Sequence, residues 1–340
     1  MSAPSTSSAS TARSGGTLRP RAAEEVPCNL CGSREHDVVG HLDREGRPLR
    51  SVICRRCGLV FTNPRPSSVD IDRYYATEYR NDYKGAAAPR LRKVVRGLLG
   101  AQERLRLLRP LLHAGVTLLD VGCGAGELVY LLRREGVDAA GLEPGREYAD
   151  FAQRIFGIPV QTATVDTAKV APGSQDVLTM FHALEHVADP RGVLRAVRGW
   201  LRPGATLVVE VPNVESIVQA PAHRFHYAHL HSFSAATLIA MGEAAGLRHI
   251  EARFSGDGGN VTAVFRRETD EERLPSGLDV HAARTRTVLQ RHTTARHYLS
   301  QAPYIRPFGR LAQRWREDRL LRRLKTIEAV LRWAEGANGR

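Results

Sequence analysis

The sequence predicts an α/β protein built on a doubly wound parallel sheet, with a small cysteine-bound module in front and a helical extension behind. Three observations predict this. Residues 118–132 read LLDVGCGAGELVYLL, an apolar run, a glycine turn and a helical pattern in succession. Four of the five cysteines fall in two C-x-x-C pairs ahead of that stretch. After residue 267 the chain turns rich in Arg, with apolar positions at helical spacing.

Length and composition set the bounds. A chain of 340 residues allows about two domains. With 42% hydrophobic residues it can bury a real core. No run approaches the roughly 18 apolar residues of a membrane span. The start lacks the apolar h-region of a secretory signal. The expected location is therefore the cytoplasm. Residues 1–25 are expected to be a disordered tail, because the first 22 carry Ser, Ala, Thr and Arg with no acid and too little apolar surface to order them. A transit peptide has a similar composition.

Residues 26–64 read as a zinc ribbon. The pairs are Cys28/Cys31 (CNLC) and Cys54/Cys57 (CRRC), with 22 residues between them. Two residues between ligands let a tight turn aim both thiolates at one tetrahedral ion. Gly32 and Gly58 follow the second cysteine of each pair, where such a turn favours glycine. Disulfides are the competing reading, and a reducing compartment disfavours them. Four protein ligands leave no open position, so the zinc is expected to be structural. Residues 65–113 are expected to form a helical lid or linker, with Tyr74, Tyr75, Tyr79 and Tyr83 covering the site.

Residues 114–267 are the expected sheet domain. Val116–Val121 is a short, buried parallel strand. Leu128, Val129, Leu131 and Leu132 mark a helix ending at Gly136. The unit is strand, glycine turn, helix. Its glycines are Gly122, Gly124 and Gly126, giving G-x-G-x-G, and Glu127 stands where a dinucleotide fingerprint has its third glycine. A carboxylate at the helix start repels a pyrophosphate, and no Gly-Lys-Ser/Thr follows for a P-loop. A ligand with a cationic or zwitterionic end fits better. Glu143 ends the next strand, 23 residues after Asp120, where an acid can accept from a vicinal diol. The competing reading is an acid capping the next helix. Cys123, inside the loop, reads as a small packing residue.

Together with GLEP, FHALEHVADP and LRPGATLVVEVPN, this stretch resembles the class I S-adenosylmethionine-dependent methyltransferases, from Val116 to Arg267. The resemblance implies a Rossmann-like seven-stranded sheet and S-adenosyl-L-methionine as cofactor. It implies that Gly122, Gly124 and Gly126 admit the cofactor to the backbone, that Asp120 anchors its amino-acid end and that Glu143 holds its ribose. Thr164, Val165 and Asp166 would flank the adenine. His182, with Glu185 and His186, would line the reactive end; alternatively, Glu185 and His186 only orient their loop.

The acceptor side is expected in HRFHYAHLHSFS (His223–Ser234), which holds four of the chain's 13 histidines. It resembles the E-H-x-x-Y-x-S pattern of sugar C-methyltransferases. Here His229 and Ser234 match, while Ala228 and Ser232 replace the Glu and Tyr. Oxygen methylation asks for one base beside a hydroxyl. His229 is the candidate, with His231 and His186 as further catalytic candidates and Tyr227 and His226 as neighbours. Ser234 reads as the N-cap of the following helix.

Residues 268–340 are expected to be a basic helical extension, with Trp315 and Trp333 placed for packing. Net charge is +13, and from Arg266 onward 17 basic residues face 9 acidic ones. Such a patch suits nucleic acid, an anionic surface or an acidic substrate, or is simply a solvated face. Related chains with a Cys₄ ribbon and the CGLVFTNPRPS run act on sugars, polysaccharide ends or secondary metabolites. The expected function is therefore O-methylation of a small molecule of that kind. The alternatives are an RNA or protein methyltransferase that uses the ribbon and basic tail for binding, a sugar C-methyltransferase, or a binding module without catalysis.

Overall fold

The computed structural model describes residues 23–67, 91–268 and 271–338. The four tyrosines expected as a lid, and the first 22 residues of the expected tail, lie outside the described residues.

The front module contains β1 (Ala23–Glu24), β2 (His36–Leu42), β3 (Pro48–Cys54), β4 (Val60–Thr62) and β5 (Arg65–Pro66). β1 pairs with β5, while β2, β3 and β4 form an antiparallel meander. Gly32 and Gly58 sit at φ +74° and +77°, the left-handed turns that follow each cysteine pair.

Helix α1 (Leu91–Leu108) leads into the central sheet and buries Val94, Val95, Leu98, Leu105 and Leu108 along one stripe. The sheet then builds from β6 (Thr117–Val121), β7 (Asp138–Leu142), β8 (Val160–Gln161), β9 (Gln175–Phe181) and β10 (Leu201–Pro212). A two-residue β11 (His231–Ser232) intervenes before β12 (Arg248–Phe254) and β13 (Asn260–Arg266). The order is β12-β13-β10-β9-β6-β7-β8, and β13 alone runs against its neighbours. Helices α2 (Glu127–Arg134), α3 (Arg146–Phe151), α4 (Pro190–Trp200) and α5 (Ala235–Ala244) cover the faces. Both faces are thus apolar, which is why the parallel strands read as continuous hydrophobic runs. Ser234 caps α5 by a capping box with Thr237.

The extension comprises α6 (Leu278–Arg291), α7 (Thr294–Leu299), α8 (Ala302–Arg323) and α9 (Ile327–Asn338). Val330 and Ala334 of α9 are buried in the core shared with α1 and α2, and Trp333 packs beside them. Trp315 does not pack: it is 68% exposed, which corrects the expectation that both tryptophans seal the extension. On α8, Glu317 is buried and takes a bidentate pair from Arg96.

β11 is the unexpected element. It pairs with β4 of the front module, His231 opposite Phe61 and Ser232 opposite Val60, to give a four-stranded sheet β11-β4-β3-β2. One residue later, Phe233 bridges to Asn213 at the end of β10. Leu49, Ile53, Val60, Val214, Phe225, Tyr227, Ala228 and Leu289 close a core between the module, this segment and α6. The front module is therefore built into the histidine-rich edge of the sheet domain.

Candidate active site

The site lies at the carboxyl ends of β6, β7, β9 and β10, where a doubly wound sheet opens a crevice. Asp120 is buried at the end of β6, and its Oδ1 accepts from Thr179 Oγ1 at 2.6 Å. Gly122, Gly124 and Gly126 follow at φ +77°, +57° and +85°. A Cβ on Gly122 would stand 2.8 Å from the Ala183 methyl, and one on Gly126 would stand 2.5 Å from Ile158. Around Gly124 the space is open. Glu143 reaches back to the loop: Oε2 accepts from Gly124 N at 2.9 Å and Oε1 from Gly145 N at 2.8 Å. Each oxygen keeps a lone pair for a further donor.

Three acids therefore crowd one glycine turn. Burial lifts the Asp120 carboxyl to about 6 and that of Glu127 to about 7. Glu143 is raised too, by burial against its two backbone hydrogen bonds. Burial, then the charges of Asp120, Glu143 and Glu127, push the Cys123 thiol far up, so Cys123 is no nucleophile. Arg104 of α1 is the cation whose charge opposes Asp120 and Glu127. It lies over the Phe181 ring at 4.6 Å and 3.8 Å from Glu210. Three buried carboxyls with raised values are drawn into their charged form by a cationic ligand and would be held protonated by a phosphate. Thr164, Val165 and Asp166 lie in the loop after β8, with Thr164 N and Oγ1 engaged by Thr167 Oγ1.

His182 follows β9 with φ +55°, the one described non-glycine residue in the left-handed region. The strain places its ring between two acids, Nδ1 at 3.5 Å from Glu185 and Nε2 at 3.2 Å from Glu210. Burial works against its charge, but the two carboxylates outweigh burial and hold the imidazole up at about 9. Thr262 Oγ1 donates to the other oxygen of Glu210 at 2.9 Å.

Glu185 is 1% exposed, and neither of its oxygens has a hydrogen-bond partner among the described residues. Beside it stand His186, whose Nδ1 meets the Ala228 carbonyl at 2.9 Å, and His229, edge-on to His186 at 4.8 Å. One ligand-type atom from each of Glu185, His186 and His229 lies within 4.8 Å of the others. The His226 ring lies tilted against His229, with centroids 4.8 Å apart. Burial holds His229 far below its usual value and His226 at about 3.

The structure brings His186 and His229 together but not His231. His231 is buried in β11 between Phe61 and Phe233, and burial lowers it to about 4. Its place among the catalytic candidates is not supported by this position, because pairing with β4 turns the ring into the module's packing. The four cysteines do converge. Sγ atoms of Cys28 and Cys57 are 3.4 Å apart, those of Cys31 and Cys54 are 3.5 Å apart, and all four lie within 4.8 Å. A tetrahedral zinc with bonds of about 2.3 Å needs sulfurs about 3.8 Å apart, so the set fits. Hydrogen bonding among the four thiols splits them: Cys31 and Cys54 are pushed down, chiefly by Cys28, while Cys28 and Cys57 are pushed up.

Residues 91–252 match a family model described as a methyltransferase domain. Among relatives, the ubiquinone biosynthesis O-methyltransferase of Pectobacterium carotovorum is 38% identical over 106 residues, 29% of this chain and 44% of that protein. The Aeromonas salmonicida protein of the same name is 31% identical over 151 residues, 39% of this chain and 63% of that protein. The chain thus spans less than two thirds of these curated relatives. Among solved structures, an S-adenosylmethionine-dependent methyltransferase from Mesorhizobium loti aligns with a TM-score of 0.43 at 18% identity, covering 50% of this chain and all of that one.

Several groups of this domain were not singled out as site residues by the sequence pattern. Arg104 sits in a helix with other arginines, and Glu210 in a strand where alternation marks only a face. Thr179 had no signal. Glu127 was visible as a departure from the dinucleotide fingerprint, and that departure is what sets the charge of the pocket.

Proposed function

We propose that the protein transfers a methyl group from S-adenosylmethionine to a hydroxyl oxygen of a small molecule, a sugar, glycan or secondary metabolite. One observation carries the cofactor reading: Asp120, Glu127 and Glu143 surround one open glycine turn. The cofactor, when bound, supplies a methyl group already activated on a sulfonium. The chain's own residues bind and orient. Asp120 and Glu127 offer negative charge to a cationic amino-acid end, and the free lone pairs of Glu143 accept from the ribose diol. Thr164, Val165 and Asp166 border the adenine. His182, fixed between Glu185 and Glu210, shapes the wall between cofactor and acceptor.

On the acceptor side, His229 is the base. A base must be unprotonated, and burial keeps His229 so. As it takes the hydroxyl proton, the buried Glu185 carboxylate beside it holds the resulting charge. The relatives, ubiquinone biosynthesis O-methyltransferases by name, support oxygen over nitrogen or carbon as the atom methylated. Zinc on Cys28, Cys31, Cys54 and Cys57 is structural: it folds the ribbon against which the His229 segment is hydrogen-bonded.

The test combines calorimetry with an acceptor panel led by glycosides. S-adenosylmethionine should bind wild type and His229→Ala equally. His229→Ala should lose about a hundredfold or more in turnover, the scale of general-base catalysis. Absence of cofactor binding to intact, zinc-loaded protein would overturn the reading.

A further inference from the structure

We infer that the turn at the tip of the ribbon, through Arg44, forms one wall of the acceptor site and binds an acid group, carboxylate or phosphate, carried by the acceptor. This rests on the reading of the His229 edge as the acceptor side.

The turn between β2 and β3 is rigid. Asp43 is buried, and its Oδ1 accepts from Glu45 N at 2.9 Å and Arg47 N at 2.8 Å, while Oδ2 accepts from Arg47 Nε at 2.8 Å. The same turn is clamped to the histidine segment. Arg44 N donates to Phe225 O at 2.7 Å, and His223 Nδ1 meets Arg44 O at 3.1 Å. Phe225 is itself pressed on β2: a Cβ on Gly40 would stand 2.5 Å from its ring. Arg47 lies over the Tyr227 ring at 5.5 Å. The root of the Arg44 side chain is thus fixed one residue from the segment that carries His226 and His229.

The guanidinium at that place has little to hold. Its one ion-pair contact among the described residues is Glu45 Oε1 at 3.8 Å, and Glu45 spends its other oxygen on Arg47 Nη2 at 2.7 Å. Asp43 is committed to Arg47. The side chain is 44% exposed, so its donors are open to a ligand. Its charge reaches the site: after burial, Arg44 is the largest influence lowering His226, and it also lowers His229. At His226 the charges of Arg44 and Arg47 outweigh that of Asp43, so the local field there is positive. A fork of donors on a fixed backbone root, beside a partly dry edge, selects a planar or tetrahedral oxyanion through paired charge-assisted hydrogen bonds. A neutral sugar hydroxyl would gain much less from it.

The experiment uses the full zinc-loaded chain, with inorganic phosphate and then acetate as probes at constant ionic strength, which holds screening of the basic extension fixed. Histidine Cε1–H NMR signals of His226 and His229 are assigned from His226→Gln and His229→Gln. Saturable shifts of both signals are expected with at least one anion, and which anion acts names the acid. Arg44→Gln should weaken that binding about tenfold or more, the scale of a lost hydrogen bond between charged groups. Arg44→Lys should restore part of it, and Arg34→Gln, at the other end of β2, should change nothing. Binding unaltered in Arg44→Gln, or no saturable shift with either anion, overturns the inference. Cofactor calorimetry on the same samples judges the methyltransfer reading separately.

Discussion

The two edges of the crevice are built in opposite ways. The cofactor edge comes chiefly from one contiguous stretch, Asp120 to Glu143, and it is negative, with Arg104 as a nearby cation. The proposed acceptor edge is assembled from the ribbon turn, the loop after β9 and the segment around β11, and there His226 and His229 are held uncharged beside the buried Glu185, with Arg44 nearby. Chemistry explains the contrast. On the proposed function the negative edge complements a cationic donor, and the uncharged His229 leaves a base free for the acceptor hydroxyl. The contrast also separates what each edge depends on: local turns on one side, tertiary docking of the cysteine-paired module on the other.

Removing zinc should break this comparison most deeply. Structural zinc contributes on the order of 10 kcal/mol to folding of such modules. Chelation, or Cys28→Ser, should melt the four-stranded sheet, release His229 with β11 and abolish turnover. Cofactor affinity should stay within about twofold, the scatter expected for distant sites. Calorimetry after metal removal checks this, and simultaneous loss of cofactor binding would show that the edges are one unit.

Acidity should act next, and on the cofactor edge. Burial raises Asp120 to about 6 and Glu127 to about 7. The ligand-free folded chain therefore holds protons that the unfolded chain has released. On the account of these two groups, its stability is full below the ordinary carboxyl range and declines as pH rises towards about 7. A cationic ligand needs both groups charged, so its affinity changes in the other direction. Lowering pH from about 8 to about 5 should weaken S-adenosylmethionine by up to about tenfold per unit below each raised value. A titration series across that range would show a flat profile if the acids do not face the ligand.

Glu143→Ala is expected to weaken the cofactor by about 2 kcal/mol, roughly thirtyfold, the scale of lost hydrogen bonds to a charged group. The acceptor-edge histidine signals should not move. Smallest is Ser234→Ala, which removes the cap of α5 behind the acceptor edge. It should cost about 1 kcal/mol of stability in a denaturant melt and leave cofactor binding unchanged.

Much of the cofactor edge was legible because its signals are short-range. A strand, a turn that needs positive φ and a helix must follow one another within about fifteen residues, and only glycine fits the turn without cost. The cysteine pairs are equally local. His231 shows the limit of such local signals: in sequence it stands two residues from His229, but only His231 enters the pairing of β11 with β4, and that pairing sets its ring between Phe61 and Phe233. Trp315 read like Trp333 because helical spacing marks a stripe without saying whether anything covers it.

The sequence by itself determined the α/β class, the glycine turn with its acids and the two cysteine pairs, since each follows from spacing along a few residues. The tertiary structure decided the rest. It made β11 a strand of the ribbon, set Arg104 against the acids of α2 and β6, placed His182 between Glu185 and Glu210 and brought Arg44 to the histidines. Those contacts join residues far apart in the chain, and burial then sets their charge. Neither long-range contact nor the loss of water around a side chain leaves a period or a spacing in the sequence.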